Sequence, residues 1–379
     1  MSEIRIVEVS TKAQLKAFVD FPNKLYKDVP AFVPSTFGDD MSDWDEKANP
    51  GFEYCEAKPF LAYRGNEIVG RIGVILNTKA NEKFGQKRVR FSQVDFVNDK
   101  EVSAALFKTA EDWAKAQGCD EVIGPMGFSD MDSEGMLVEG FDREGLFFTY
   151  YNHPYYLEHL TDLGYEKEVD WIEYRINVPE KGSEQARHLE KLSNFVARHE
   201  KLHFHNVKSR TELKPLVQAV FQLANEAYAP LFGTVEFTDA QIKRYAAKFL
   251  PLIDPKFTVF VMNEQNEMVG FGVTAPSLSK AFKKSNGRLF PTGWIHVLHD
   301  LKVNDTLNLF LIAVRPELQK KGINAMLMYK ILQNCNEAGI KYAETGPMLE
   351  LNEKILAQWK TFDKEQHKRR RCFVKKLDV

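Results

Sequence analysis

The stretch that decides the fold of the second half of this chain runs from residue 306 to residue 338. It reads TLNLFLIAV (306–314), RPELQKKG (315–322) and INAMLMYKILQNCNEA (323–338). The first segment is almost entirely apolar, which is typical of a buried strand. In the third segment Ile323, Leu327, Ile331 and Cys335 recur every four residues, and this spacing predicts an amphipathic helix. The stretch therefore predicts a strand, a short basic turn and a helix.

The basic turn has the composition of a phosphate site. The first turn of a helix carries unpaired backbone amides and a partial positive charge, and both favour anions. Gly322 would let the backbone approach a ligand closely, and Lys320 and Lys321 would add positive charge. The turn matches neither a P-loop nor a Gly-x-Gly-x-x-Gly fingerprint.

An internal repeat relates the two halves of the chain. Residues 60–70 read FLAYRGNEIVG and residues 260–270 read FVMNEQNEMVG, and each predicts a β-hairpin. Residues 118–126 (GCDEVIGPM) and 339–348 (GIKYAETGPM) follow later in the same order. A chance coincidence of generic hairpins is the alternative, but the shared order favours a duplicated unit.

The length supports the same division, because 379 residues exceed what one hydrophobic core usually holds. We expect an α/β fold, more exactly an α+β mixed sheet, with one domain at residues 1–178 and another at 201–379. Residues 179–200, rich in charged helix formers, predict a linking helix. The stretch 276–305 has no counterpart of equal length in the first half. Such an insertion is either a binding loop or a surface excursion.

At the basic turn the sequence resembles the GNAT acyltransferase superfamily. The signature of that family is an apolar strand that ends in Val-x-Pro, followed by Gln/Arg-x-x-Gly-x-Gly/Ala at the start of a helix. Val314, Pro316, Gln319 and Gly322 match it, whereas Asn324 replaces the usual Gly or Ala. The whole arrangement is similar to bacterial tandem-GNAT proteins. The resemblance implies two domains, each a mostly antiparallel twisted sheet flanked by helices, and transfer of an acyl group from acyl-CoA.

The resemblance also implies a set of site residues in the second half. The pyrophosphate of acetyl-CoA, or of another acyl-CoA, would be held by the turn Gln319, Lys320, Lys321, Gly322, Ile323, Asn324 and Ala325. Pantetheine would pair with the backbone of Ile312, Ala313 and Val314 and contact Asn352, although a plain helix cap is an equally good interpretation of Asn352.

Val314 and one further residue would act in the chemistry. The amide of Val314 would stabilise the oxyanion, and Glu344 would be the general base, unless it is simply salt-bridged or exposed to solvent. Many members of the family carry a tyrosine acid after the Asn352 position, but this chain has Trp359 and Phe362 there.

The first half is expected to lack the cofactor. After its corresponding strand the chain reads NDKEVS (98–103), without glycine. Asp95, Asp99 and Glu101 would face the phosphates, and like charges at short range repel.

Composition excludes several other classes of protein. A net charge of −2 gives no basic field for nucleic acid. With no apolar stretch long enough to span a bilayer and no signal peptide, we expect no membrane partner and a cytoplasmic location. The four scattered cysteines suggest reduced thiols. No metal is expected, because the loop Asp130-x-Asp132-x-Glu134 has Phe141 where a calcium site needs glutamate.

The sequence thus predicts an acyl-CoA-dependent N-acyltransferase that acts on the amine of a small acceptor, with acetyl-CoA as the first choice of donor. A catalytically degenerate sensor or scaffold that binds acyl-CoA is the alternative. An aminoacyl-tRNA-dependent transferase is a third possibility, but it would need a basic groove. The pattern leaves the acceptor and the oligomeric state open.

Overall fold

The computed structural model describes residues 3–378, which form two compact units. Unit 1 takes the chain up to Ile172, together with Ser279–His296 and the end of the chain from Lys368. Unit 2 consists of Glu173–Leu278 and Val297–His367. Each unit therefore contains segments from both halves of the sequence. Dividing the chain at one position does not reproduce the two units.

The strands are β1 (Ile4–Glu8), β2 (Cys55–Arg64), β3 (Glu67–Asn77), β4 (Arg88–Phe96), β5 (Glu121–Gly124), β6 (Met136–Glu139), β7 (Glu166–Asn177), β8 (His203–His205), β9 (Thr258–Met262), β10 (Met268–Pro276), β11 (Thr306–Val314), β12 (Tyr342–Thr345), β13 (Met348–Leu349) and β14 (Lys364–Lys376). The α-helices are α1 (Lys12–Leu25), α2 (Phe37–Asp43), α3 (Thr78–Phe84), α4 (Lys100–Ala116), α5 (Tyr155–Asp162), α6 (Glu184–His199), α7 (Arg210–Leu213), α8 (Val217–Tyr228), α9 (Asp239–Phe249), α10 (Ser279–Ser285), α11 (Gly293–Asp300), α12 (Ile323–Ala338) and α13 (Glu353–Ala357).

The two units repeat one strand arrangement. In unit 1 the order is β1-β2-β3-β4-β5, with antiparallel neighbours except for the parallel pair β4–β5. In unit 2 the order is β8-β9-β10-β11-β12, again antiparallel except for the parallel pair β11–β12. The internal repeat predicted this duplication, and the mixed α/β fold class is confirmed.

The last strand of each sheet comes from the other half of the sequence. In unit 1 β5 pairs with residues 373–376 of β14, near the end of the chain. In unit 2 β12 pairs with residues 175–177 of β7, which ends the first half. Because an open strand edge exposes unpaired backbone groups, each exchanged strand covers an edge that would otherwise be free.

Each unit encloses its own apolar core between sheet and helix. In unit 1 α4 packs Val102, Leu106 and Phe107 against the sheet. In unit 2 α12 and α6 pack on the sheet through residues such as Met326, Leu327 and Val196. The predicted linking helix is therefore part of the core of unit 2.

The bounds of β11 and α12 agree with the prediction. The insertion is also more regular than expected, because it contains α10 and α11.

Candidate functional site

The N-terminus of α12 is open. Gly322 is its N-cap residue, with a φ of 83°, and no side chain of the described residues caps it. The amide of Ala325 bonds to the carbonyl of Gly322 at 2.9 Å. The amides of Gly322, Ile323 and Asn324 have no acceptor within residues 3–378. The N-terminus of this four-turn helix therefore presents a group of unpaired backbone donors, and this arrangement binds phosphate.

The side chains of the turn differ in role: Gln319 makes hydrogen bonds within the site, whereas Lys320 and Lys321 carry charge. Gln319 donates from Nε2 to the carbonyl of Val314 at 3.4 Å, and its Oε1 accepts from Lys354 Nζ at 3.0 Å. Lys321 Nζ lies 2.8 Å from Glu200 Oε2, and this contact lowers the pKa of the Glu200 carboxyl. Lys320 is exposed and makes no ion pair with any described residue. Lys320 is therefore the available cation of the turn.

Gly322 is required by packing as well as by its backbone angle. A Cβ at this position would lie 2.9 Å from Val196 Cγ2 of α6. Any larger side chain would push α6 away from the turn, in addition to the strain of a left-handed backbone.

A cleft opens beside the end of β11. Strands β11 and β12 pair only from Thr306 with Tyr342 to Leu309 with Thr345, and Gly346 then donates its amide to the Leu309 carbonyl at 3.0 Å. From residue 310 to residue 314, no strand of the described chain lies on that side of β11. The strands part at this point, so the end of β11 keeps one edge unpaired.

The register shows which backbone groups of β11 face the cleft. The Arg315 amide donates to the Val269 carbonyl at 2.9 Å, so Arg315 faces β10. Because backbone groups alternate in direction along a strand, Ala313 also faces β10, whereas Ile312 and Val314 face the cleft. The expectation that Ala313 pairs with pantetheine is corrected, since its N–H and C=O bond to β10. The pairing of Ile312 and Val314 with pantetheine stays a prediction.

Tyr228, at the end of α8, reaches this edge. Its hydroxyl donates to the carbonyl of Ile312 at 2.9 Å. It therefore contacts one of the backbone carbonyls that the family resemblance assigns to pantetheine. No local pattern could predict this contact, because α8 and β11 are far apart along the chain.

A row of polar side chains crosses the sheet where β11 and β12 are still paired. Asn308 is aligned with Glu344, and Glu344 with Arg175, so all three side chains lie on one face of the sheet. Arg175 Nη1 lies 2.6 Å from Glu344 Oε1. Asn308 is fully buried, and neither its Nδ2 nor its Oδ1 has a partner in residues 3–378. The predicted base is thus salt-bridged, beside a buried amide with unused hydrogen-bonding capacity.

Asn352 caps a helix in the structure, which was the alternative interpretation of this residue. It is the N-cap residue of α13, and its Oδ1 accepts from the Ile355 amide at 3.3 Å. Its contact with pantetheine stays a prediction. Trp359, which follows α13, is buried, and its Nε1 points at Met348 Sδ at 3.2 Å.

Unit 1 offers an internal comparison, because Phe96 occupies the position of Val314. The Val97 amide donates to the Val69 carbonyl, just as Arg315 donates to Val269. The Phe96 amide donates to the Tyr156 hydroxyl at 2.8 Å, and the Phe96 carbonyl accepts from the Tyr155 hydroxyl at 2.5 Å. Burial raises the pKa of Tyr156. The strand edge that is open in unit 2 is therefore closed by tyrosines of α5 in unit 1.

The N-termini of α4 and α12 also differ, because a side chain of the described residues caps only that of α4. The N-cap residue of α4 is Asp99, whose carboxylate accepts from the Glu101 amide at 2.9 Å. Arg64 Nη2 lies 2.7 Å from the Asp99 carboxylate and 2.9 Å from the Glu101 carboxylate. A carboxylate thus holds the place at α4 that is empty of protein groups at α12.

Comparisons with known proteins agree with this geometry. Residues 217–355 match the acetyltransferase (GNAT) family. The chain is 28% identical over 372 residues to Protein YghO of Escherichia coli, covering 97% of this chain and 94% of that protein. It is 26% identical over 338 residues to a protein named bacterial ceramide synthase from Caulobacter vibrioides, covering 88% and 86%.

Solved structures show the same fold along the whole chain. A tandem GNAT protein from the clavulanic acid biosynthesis pathway superposes with a TM-score of 0.56 at 12% identity, covering 100% of this chain and 99% of that one. A GCN5-related N-acetyltransferase from Sphaerobacter thermophilus gives a TM-score of 0.50 at 10% identity, covering 99% and 96%. The match to the GNAT family thus covers residues 217–355, and the fold of the whole chain is that of the tandem GNAT protein.

Within residues 3–378 no group of three or more His, Cys, Asp or Glu side chains is placed to hold a metal ion. None of the described helices is long and apolar enough to cross a bilayer.

Proposed function

We propose that this chain is an acyl-CoA-dependent N-acyltransferase with one cofactor site, in unit 2. The observation that carries the proposal is the contrast between two equivalent helix ends. The amides at the start of α12 are unpaired, whereas the start of α4 is capped by Asp99. A pyrophosphate would supply the missing acceptors of α12, and the exposed Lys320 would add attraction.

The open edge of β11 would hold the pantetheine arm. Ile312 and Val314 point backbone groups into the cleft, and the Ile312 carbonyl has a second lone pair besides the one that accepts from Tyr228, so an extended arm would add to the sheet as another strand does. The thioester would then lie near the Val314 amide, which we assign to the oxyanion. One oriented backbone donor of this kind contributes about 10²–10³ in rate.

The reaction is direct attack by an amine. The acceptor ammonium first loses a proton to a base, and its nitrogen then forms a bond to the thioester carbon. The carbon–sulfur bond breaks, the nitrogen loses a second proton, and the CoA thiolate takes up that second proton. The products are an amide, the free CoA thiol and the proton held by the base. Glu344 is our candidate proton acceptor, because it lies on β12 at the base of the cleft. The unpaired amide of Asn308 beside it would bind a polar group of the acceptor.

The acceptor we favour is a long-chain amino alcohol, with a long-chain acyl-CoA as donor. The support is the similarity, over most of both chains, to a protein named as a bacterial ceramide synthase. A ceramide is by definition such an amino alcohol acylated on nitrogen. This donor differs from the acetyl-CoA that was the first expectation.

Release of the CoA thiol tests the proposal directly. Purified protein would receive acetyl-CoA or palmitoyl-CoA, each with sphinganine or with a short amino alcohol, and the thiol would be titrated while the amide is detected by mass spectrometry. We expect amide formation with palmitoyl-CoA and sphinganine. Amide formation only with acetyl-CoA and the short amine would overturn the proposed substrate class.

A sensor that binds acyl-CoA without turnover is the second candidate. It is favoured by two observations: Glu344 is engaged by Arg175, and the residues that follow α13 include no tyrosine at the expected place. Binding of acyl-CoA at α12, without thiol release with either amine, would support the sensor over the enzyme.

A further inference from the structure

The insertion carries an unusual concentration of exposed apolar side chains. Nine large hydrophobic residues in the described chain are exposed, and five of them fall between residues 290 and 303. These five are Phe290, Trp294, Ile295, Leu298 and Val303. Scattered exposed hydrophobic residues are ordinary, but a run of this density in one short segment marks an interaction surface.

Helix α11 in the centre of this segment carries apolar side chains on both its inward and its outward side. Val297 is buried on the inward side. Trp294, Ile295 and Leu298 lie three and four positions apart, on the outward side. A surface helix normally turns a polar face to water. The three apolar side chains on the outward face of α11 therefore favour contact with a less polar environment. The Trp294 Nε1 donates to the Pro291 carbonyl at 2.9 Å, which leaves the indole with no unmet donor.

The segment that contains the helix has an excess of positive charge. Between residues 280 and 303 the chain has five cations, Lys280, Lys283, Lys284, Arg288 and Lys302. The one acid in that range, Asp300, is buried. Glu144 pairs with Lys283 and Asp20 with Arg288, but Lys280, Lys284 and Lys302 are exposed and make no ion pair with a described residue. A local excess of cations in a chain of net charge −2 favours an anionic partner.

We propose that residues 280–303 dock this protein on the surface of an anionic lipid bilayer. Trp294, Ile295 and Leu298 would enter the boundary between headgroups and acyl chains, where tryptophan is enriched. The flanking lysines would remain at the level of the anionic headgroups and strengthen the attachment. No described helix could span the bilayer, so the protein would lie on the membrane. This reverses the expectation, drawn from the sequence, of no membrane partner.

A second copy of this chain is a weaker candidate for the occupant. A twofold interface brings the same patch of both copies together. The unpaired lysines beside α11 would then meet their own equivalents, and like charges in contact are unfavourable.

Vesicle sedimentation tests the docking without any CoA or substrate, so it is independent of the proposed acyl transfer. Full-length protein would be mixed with vesicles of phosphatidylcholine alone or with phosphatidylglycerol. The test variant is Trp294→Ser/Ile295→Ser/Leu298→Ser. The matched control is Phe84→Ser/Phe195→Ser, which removes exposed hydrophobic side chains elsewhere.

We expect binding to the anionic vesicles, weaker binding to phosphatidylcholine and weakening by salt. The triple variant should lose about tenfold or more in partitioning, since three apolar side chains leave the interface, whereas the control should bind as the wild type does. Absence of vesicle binding by the wild type would overturn the proposal. So would equal loss in the control variant, or a concentration-dependent dimer that only the triple variant abolishes.

Discussion

Replacing Asn324 by aspartate should separate the stability of the α12 helix end from its ability to bind CoA. Asn324 is exposed and lies two positions after the N-cap residue Gly322. The substitution keeps the size of the side chain and adds one negative charge. A carboxylate in the first turn of a helix stabilises it by about 0.3–1 kcal/mol. The same carboxylate would stand beside the pyrophosphate, so helix stability and CoA affinity should move in opposite directions.

The magnitude follows from the charges. Two unit charges about 6 Å apart in water interact by about 0.7 kcal/mol, so a carboxylate and a doubly charged pyrophosphate repel by about 1.4 kcal/mol. That corresponds to about a tenfold weaker affinity. At physiological salt, screening would roughly halve the energy, because the Debye length is then about 8 Å.

Calorimetric titration with CoA at low and at physiological salt would measure this loss, and thermal unfolding would measure the stability. Asn324→Gln is the neutral control and should bind CoA nearly as the wild type does. Asp99→Asn in unit 1 should leave the affinity unchanged. If Asn324→Asp binds CoA as tightly as Asn324→Gln at low salt, the pyrophosphate does not lie at the start of α12.

Three further predictions concern single side chains. Glu344→Gln should lower kcat by about 10²-fold or more with little change in CoA affinity, measured by thiol release and calorimetry, and an unchanged kcat would remove Glu344 from the mechanism. Tyr156→Phe should reduce the free energy of unfolding by about 1–3 kcal/mol, because it leaves the Phe96 amide without its acceptor, and should not alter CoA affinity; weaker CoA binding would argue that unit 1 takes part in the site. Burial raises the pKa of Glu134 to about 8, so ionisation of this carboxyl favours the unfolded chain and stability should fall between about pH 5 and pH 8. Glu134→Gln should therefore be more stable than the wild type by about 1–4 kcal/mol at pH 8 but not at pH 5, measured by denaturant titration, and parallel pH profiles would contradict this.

The elements of the fold that could be predicted are those with a local sequence pattern. The apolar run 306–314 and the four-residue spacing from Ile323 to Cys335 predicted β11 and α12 with correct bounds. The repeated hairpins predicted the shared strand order. These signals are local because alternation and helical periodicity are set by neighbours in sequence.

The exchange of final strands could not be predicted in the same way. β14 pairs with β5, about 250 residues earlier in the chain, and nothing in either strand specifies its partner. The final strand of each half is also longer than its apolar core, since β14 begins at Lys364 and includes several cations.

In the candidate site, too, local features could be predicted and contacts between distant segments could not. The turn was predictable, because the strand, Gly322 and the helix lie in one continuous segment. The contacts of Tyr228 with Ile312 and of Arg175 with Glu344 were not, since each joins elements that are distant in sequence. The closure of the unit 1 strand edge could not be predicted either, because no local pattern links the hydroxyl of Tyr156 to Phe96. That unit 1 lacks a cofactor site stays a prediction, drawn from the acidic residues near Asp99.

The most direct measurement of the central claim is a crystal structure of this protein with bound CoA. The account predicts pyrophosphate oxygens at hydrogen-bond distance, about 3 Å, from the amide nitrogens of Gly322, Ile323 and Asn324. It also predicts pantetheine along Ile312 and Val314, with no nucleotide at the start of α4. A nucleotide bound in unit 1, or one that leaves the first turn of α12 untouched, would contradict it.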